Sequence, residues 1–475
     1  MLNGTNEIGP SSSLGSHRIS ELFKAYDIRG IFGEALTEEI AYRIGRAIVK
    51  YLSAEKVLVG RDMRTSSIPL RDALVRGITE QGADVVDIGL CSTPMFYWAT
   101  QGFKAGVMVT ASHNPGKYNG FKICKDGAFP VGESTGMKEI QELVIKNVFP
   151  ESKIKGEYSK QDVLDQFLEF NLSFLKTRKK FKIVIDAGNG MGGYVYGELL
   201  KKLPDSIKII AMYFEPDGTF PNHEANPLKT ETLRELQARV VEEDADLGIA
   251  LDGDEDRIVF VDNKGDYIAS DYTTALLAEE ILAEHPGATI LYDIRQSRVT
   301  PDAILALGGK PIMTRVGHSL IKAAMREHKA PWGGEFSGHF YNAEQQNTEN
   351  TQIIMFRMLN LLAGKNATLE EVSRPLRTKY AKIDETNTEV SNPDEVIALL
   401  DAAYSQSAQS VSRIDGIRVD FADWWFNVRK SNTEPLLRLN LEAISKDLLQ
   451  QKAEELLGII KGERIPIRIQ NISNS

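Results

Sequence analysis

The 475-residue chain has little cysteine, no long apolar run and no surplus of positive charge, and each shortage removes a class of protein. Its only cysteines, Cys91 and Cys124, make neither a CxxC pair nor a disulfide framework. Such usage fits a reducing cytoplasm, in which a buried inert thiol is the ordinary state of each. No apolar stretch approaches the roughly 18 residues needed to cross a bilayer. The first twenty residues, MLNGTNEIGPSSSLGSHRIS, lack the apolar core of a secretory signal and read as a flexible tail, 1–20. A formal net charge of -10 offers no bulk attraction to nucleic acid or to an anionic membrane, so an anionic ligand must meet local basic clusters. The Walker A pattern GxxxxGK[ST] is missing too, which disfavours an ATP kinase. Nothing in the sequence calls for an obligate protein partner.

What is present is an ordinary globular composition, 42% hydrophobic and 26% charged, on a chain too long for one core. Its size suggests roughly three or four domains. Short β-branched runs alternate with helical-period segments: KVLVG is followed by IPLRDALVRGITEQG, and FKIVIDAGNG by YVYGELLKKL. That alternation predicts α/β architecture with mixed or mostly parallel sheets. A loose repeat of helix, apolar strand and polar loop runs through FKAGVMVTASHNP, DADLGIALDGDEDR and HKAPWGGEFSGHF, which suggests three similar α/β domains whose loops sit at carboxyl ends of strands. The last hundred residues differ. Leu437, Leu439 and Leu441 alternate with Arg438, Asn440 and Glu442 at period two, between helical VIALLDAAYSQ and LLQQKAEELLGII, predicting a C-terminal α+β domain. Boundaries fall at 21–163, 164–266, 267–377 and 378–475.

Four polar segments carry the chemistry. ALDGDEDR (Ala250 to Arg257) sets Asp252, Asp254 and Asp256 two residues apart, which puts three carboxylates on one side of an extended or turning chain. Such crowding is unfavourable unless a cation offsets it, and a hard, oxygen-preferring ion suits it. Alone, the segment also reads as a solvated acidic turn. It is not an EF-hand, since Arg257 stands where that loop needs Gly and Asn263 where it needs Glu. VTASHNP (Val109 to Pro115) ends an apolar strand with Ser112 in a stiff turn that would present its hydroxyl; the plain alternative is a turn serine bonded to its own backbone. RKSNTEP (Arg429 to Pro435) offers Arg429, Ser431, Asn432 and Thr433 as donors to phosphate oxygens. GGEFSGH (Gly333 to His339) presents Glu335, Ser337 and His339 for sugar hydroxyls, or is simply a glycine-rich turn. Together they predict phosphoryl transfer. One feature favours a different class: Gly188, Gly190 and Gly193 follow a strand and open a helix, with Glu215 about twenty residues on, the pattern of a nicotinamide dehydrogenase. That reading leaves the aspartate trio, Ser112 and SNTEP unexplained and ranks lower.

With these residues in hand, the chain resembles the α-D-phosphohexomutase family over nearly its whole length, from FKAYDIRG (Phe23 to Gly30) to SNTEP. TASHNP, DGDxDR, GExSGH and RxSNTEP occur in the family's order. The sugar loop GEFSGH places the resemblance closest to the bacterial-type phosphomannomutases, since phosphoglucosamine mutases usually have Gln where Phe336 stands. The resemblance implies four domains around a central cleft and interconversion of mannose 6-phosphate with mannose 1-phosphate. Glucose phosphates are further expected substrates, and a phosphoglucomutase or a phosphoglucosamine mutase is the alternative within the family. It implies a phosphoserine at Ser112, Mg²⁺ held by Asp252, Asp254, Asp256 and that phosphate, and a hexose 1,6-bisphosphate as intermediate and activator. Lys122, Arg29 and His339 would join Ser112 as catalytic groups, Lys122 and His339 as candidates for proton transfer. Tyr26, Arg257, Arg295, His318, Glu335, Ser337, Arg429, Ser431, Asn432, Thr433 and Arg438 would contact the phosphorylated hexose. Two departures stand out. Arg295 occupies a position that is often Lys and cannot act as a base, and NAEQQNTENTQ (Asn342 to Gln352) lacks the family's aromatic and Asp-Asp-Gly stretch.

Overall fold

The β-branched runs become strands and the amphipathic runs become helices in a computed structural model that describes residues 16–430 and 436–462. The chain divides into two units, Met1–Tyr267 with Tyr341–Asn360, and Ile268–Phe340 with Leu361–Ser475.

In the first unit a mixed sheet runs in the order Ile28–Ile31, Tyr118–Lys125, Ala105–Val109, Lys56–Arg61, Asp84–Leu90, Tyr158–Lys160. The helix Glu38–Leu52 shows why such segments fold as they do. Thr37 caps it by accepting from the Ile40 amide, Glu38 and Glu39 sit in its first turn, and Lys50 in its last. Ile40, Ile44, Ala47 and Ile48, spaced by helical turns, enter a core with Val57, Val59, Val107 and Phe121. Ser16–Ser20, expected to be part of the tail, is a short helix instead: Ile19 is apolar and is buried beside Leu22 in this core. A second sheet of the same unit carries Ile258–Asp262, Leu247–Leu251, Phe181–Asp186 and Ile207–Met212 in that order. Both sheets repeat one device. The strand leading into each chemical loop pairs parallel with one neighbour and antiparallel with the strand that follows the loop: Ala105–Val109 with Tyr118–Lys125, and Leu247–Leu251 with Ile258–Asp262.

The Gly188, Gly190, Gly193 series is consumed by packing. Gly188 takes φ 51, a Cβ on Gly190 would lie 2.8 Å from the Gly253 carbonyl, and one on Gly193 only 1.9 Å from the Phe214 carbonyl. The Met191 amide already donates to Gly253 O at 2.9 Å, so the dinucleotide pattern is a tight strand-to-helix turn against the aspartate loop.

In the second unit Thr289–Asp293 pairs parallel with Lys310–Thr314 and Trp332–Gly334, and the latter strand leads into the GEFSGH loop. The C-terminal sheet is antiparallel, ordered Ala381–Glu389, Leu436–Ala443, Trp424–Lys430, Ile417–Asp420, Ser410–Ser412. Leu437, Leu439 and Leu441 pack into a core with Phe426, Leu400 and Leu456, while Arg438, Asn440 and Glu442 take the opposite face, as period two demands. The architecture is therefore three similar α/β domains with mixed sheets and a C-terminal α+β domain. Strand Ala381–Glu389 is new: AKIDETNTE has no apolar alternation to betray it.

Gly193→Ala should cost about 2–4 kcal/mol in urea unfolding, because backbone and not a flexible side chain must yield. A pH test concerns His223, whose Nε2 lies 3.0 Å from Asp186 Oδ2. That hydrogen bond raises its pKa above the ordinary 6.5, with burial opposing. The stabilisation is complete below the unfolded value of about 6.5 and is lost as pH rises through the higher folded value. His223→Gln should flatten the dependence of the urea midpoint on pH over that window.

Candidate active site

Within the first unit the two hairpin loops meet. Ser112 sits at φ 50, a left-handed conformation that a residue with a Cβ adopts only under constraint. The constraint is Arg64. Its wholly buried guanidinium donates to the carbonyls of Ser112 (2.7 Å), Asn114 (2.6 Å), Pro115 (2.9 Å) and Tyr118 (3.1 Å), and its Nε to Asp62 at 3.1 Å. Arg29 Nη1 adds a bond to Asn114 Oδ1 at 2.5 Å and pairs with Asp27. The Ser112 hydroxyl donates to Asp252 Oδ2 at 2.8 Å and lies 3.2 Å from His113 Nδ1. The loops can come this close because residue 253 is glycine: a Cβ there would stand 2.4 Å from the Ser112 carbonyl.

The aspartates face one way. Carboxylate oxygens of Asp252, Asp254 and Asp256 all lie within 4.8 Å of one another and all three residues are buried. Asp252 Oδ1 accepts from the amides of Asp256 and Arg257, each at 3.1 Å, and Arg257 Nε lies 3.7 Å from Oδ2. Lys122 Nζ donates to Asp254 Oδ2 at 2.8 Å and also to Asp256 Oδ2. Burial would lower the Lys122 pKa, but the two carboxylates outweigh it and hold it well above the usual lysine value. Thr93 Oγ1 donates to Asp254 Oδ2 at 2.6 Å. Asp254 Oδ1, in contrast, is buried without a hydrogen-bond partner among the described residues. An unused carboxylate oxygen among three clustered hard donors is the donor set that a divalent cation completes.

Glu255 points the other way. It takes φ 68 and is fully buried, accepting from Thr351 Oγ1 at 2.7 Å and from Gln352 Nε2. Burial pushes its pKa up to about 7. The unusual segment Asn342 to Gln352 is thus part of the first unit's scaffold: Gln345 Nε2 donates to the Pro94 carbonyl (3.1 Å), and Asn350 Nδ2 to Asn171 Oδ1 (2.7 Å). Tyr26 is half-buried just ahead of the strand Ile28–Ile31.

In the second unit Arg295 grips Asp293 through Nε (3.0 Å) and Nη2 (2.9 Å), and Nη2 lies 3.3 Å from Glu335 Oε1. These acids raise its pKa further against the effect of burial. His339 Nδ1 lies 2.9 Å from Ser337 Oγ and 3.1 Å from Glu335 Oε2. The Gly317 amide donates to Glu335 Oε1 at 3.2 Å, which places His318, first residue of the helix His318–His328, beside this group. Arg429 and Arg438 both bond Glu385, at 2.7 and 2.9 Å. Ser431, Asn432 and Thr433 lie outside the described residues. So Ser112, the three aspartates, Lys122, Arg257 and, through Asn114, Arg29 come together in one unit. Arg295, Glu335, Ser337 and His339, joined to Arg429 and Arg438 by way of Glu385, come together in the other. Arg64, Thr93, Glu255, Asp293 and Glu385 escaped the sequence reading.

Four family models match in chain order: phosphoglucomutase/phosphomannomutase alpha/beta/alpha domain I over residues 20–151, domain II over 162–265, domain III over 269–380, and the C-terminal domain over 385–459. A phosphomannomutase from Salmonella montevideo is 38% identical over 448 residues, covering 92% of this chain and 98% of its own. One from Vibrio cholerae is 39% identical over 453 residues, with the same coverage of 92% and 98%. The crystal structure of a phosphoglucomutase/phosphomannomutase family protein from Burkholderia thailandensis superposes with a TM-score of 0.85 at 34% identity, covering 94% of this chain and 99% of that one.

Arg64→Ala should destabilise the chain by about 3–5 kcal/mol, since it strips four loop carbonyls of their donor and leaves Asp62 buried without its cation. Arg64→Lys should rescue little, because a point charge cannot serve carbonyls in several directions. Urea unfolding of both variants checks this; wild-type stability in Arg64→Lys would contradict it.

Proposed function

We infer, for a chain that belongs to the phosphoglucomutase/phosphomannomutase family, that it interconverts mannose 6-phosphate and mannose 1-phosphate, with glucose phosphates as secondary substrates. The observation that carries the reading is the Ser112 hydroxyl. It is pinned by its own backbone carbonyl at Arg64 and aimed at Asp252 beside a buried acidic cluster with an unused oxygen. A serine so fixed suits a phosphoryl carrier, because positioning supplies most of the catalysis in such transfers.

The cycle runs in two matched transfers. Phospho-Ser112 loses its P–O bond to the free hydroxyl of the hexose monophosphate, whose proton leaves as the new P–O bond forms. The resulting hexose 1,6-bisphosphate then turns end for end, and its other phosphate returns to Ser112. Asp252, Asp254 and Asp256 would hold Mg²⁺, which supplies neutralisation of charge on the transferring group. Arg257 and Arg29 flank the serine loop as further cations, and Lys122 and His339 are the candidates for moving the hydroxyl proton. Glu335, Ser337 and His339 suit sugar hydroxyls, while Arg295, Arg429 and Arg438, with Ser431, Asn432 and Thr433, suit the phosphate that is not reacting. Free hexose 1,6-bisphosphate would act as activator by restoring phospho-Ser112. Among the described residues no helix is long and apolar enough to cross a membrane, and Cys91 and Cys124 are both buried and unbridged; we read the setting as cytoplasmic.

A coupled assay with catalytic hexose 1,6-bisphosphate and no ATP should show turnover of mannose 1-phosphate above glucose 1-phosphate and glucosamine 1-phosphate. Mass analysis should find one phosphate on Ser112, and Ser112→Ala should lose at least about 10³-fold in kcat. Turnover that requires ATP and releases ADP, or full activity in Ser112→Ala, would sink the mutase.

A further inference from the structure

Arg429 and Arg438 stand directly opposite one another on neighbouring strands. Like charges in that position repel. Glu385 answers both, its Oε2 accepting from Arg429 Nη2 at 2.7 Å and its Oε1 from Arg438 Nη1 at 2.9 Å, with Arg295 Nη1 3.9 Å from Oε2. It reaches them from an irregularity: the register of Ala381–Glu389 against Leu436–Ala443 shifts between Ile383 and Thr386, so Asp384 and Glu385 are the residues out of step. Such a bulge re-aims a side chain. Burial alone would raise the Glu385 pKa, but the three arginines outweigh it and hold the carboxyl below its usual range. The cluster is balanced, Arg295, Arg429 and Arg438 against Asp293, Glu335 and Glu385. Yet Arg429, only 4% exposed, keeps a buried Nε–H with no acceptor among the described residues. A balanced set of buried and half-buried cations that still has a donor to spare among the described residues fits one resident anion and one visiting anion.

We propose that Glu385 is a resident competitor for the phosphate bound by Arg429 and Arg438, loosening that grip so that the bisphosphate can let go and present its other end. The proposal rests on the phosphate-binding reading of these arginines given above. Its physical motive is that a mutase must release the remote phosphate in mid-cycle. Binding that is equally tight throughout lowers KM without raising kcat, and here it would also trap the intermediate. A carboxylate that closes on the arginines as the phosphate departs removes the cost of leaving paired cations bare.

The test is calorimetric titration of inorganic phosphate into the full chain, with Arg429→Ala defining the binding that belongs to this cluster. Glu385→Gln should bind phosphate about tenfold more tightly, since one repelling charge is gone. Glu385→Asp, which keeps the charge, should retain wild-type affinity. In mannose 1-phosphate turnover Glu385→Gln should lower KM and kcat together. Unchanged or weaker phosphate binding by Glu385→Gln overturns the proposal, and so does Glu385→Asp behaving like Glu385→Gln. A Glu385→Gln chain that no longer melts cooperatively also overturns it, because the carboxylate is then a requirement of the fold. If the wild type has no Arg429-dependent phosphate binding, the proposal falls together with the reading beneath it.

Discussion

Three carboxylates whose oxygens lie within 4.8 Å of one another, away from water, repel pairwise by about 3–4 kcal/mol at an effective dielectric of about 20. Most of the first unit can be understood as the answer to that repulsion. Lys122 comes in from the strand after the serine loop to bridge Asp254 and Asp256, the Ser112 hydroxyl donates to Asp252, and the amides of Asp256 and Arg257 supply two more donors. The second unit meets the same constraint with the sign reversed: facing arginines are held by one glutamate. Each half thus keeps a set of like charges together with the help of an opposite charge from a different strand.

Backbone, more than side chains, sets how near those charges can come. The hairpin that carries the aspartates approaches the serine loop through Gly253 and the Gly190 turn, where no Cβ fits. Glu255, alternating with the aspartates, turns into Thr351 and Gln352, so the loop is fastened from behind as well as in front. A chain segment 96 and 97 residues further on therefore shapes the geometry of the acidic cluster.

Much of this was legible in the sequence, and the limits have physical causes. TASHNP, DGDEDR and GEFSGH stood out because polar groups interrupt apolar strands, and each does follow a strand end. The Leu437, Leu439, Leu441 alternation disclosed its strand for the same reason. Strand Ala381–Glu389 stayed hidden because its pairing partner supplies the apolar residues, and Glu385 with it, since a bulge is a property of register between two strands. Arg64 looks like any solvated arginine in RDMRTSS; only the fold brings four carbonyls around it. The glycine fingerprint was ambiguous by itself, because a tight turn needs the same glycines whether backbone or pyrophosphate comes close.

The left-handed backbone at Ser112 limits which hydroxyl amino acid the position can hold. Threonine is β-branched, and a branched Cβ is a poor fit at positive φ, so its hydroxyl is refused on backbone grounds before chemistry is considered. Tyrosine would carry its oxygen several ångströms past Asp252. The genetic code offers three side-chain alcohols: the dihedral angle held by a buried arginine from the end of the neighbouring strand refuses one, reach refuses another, and serine is left.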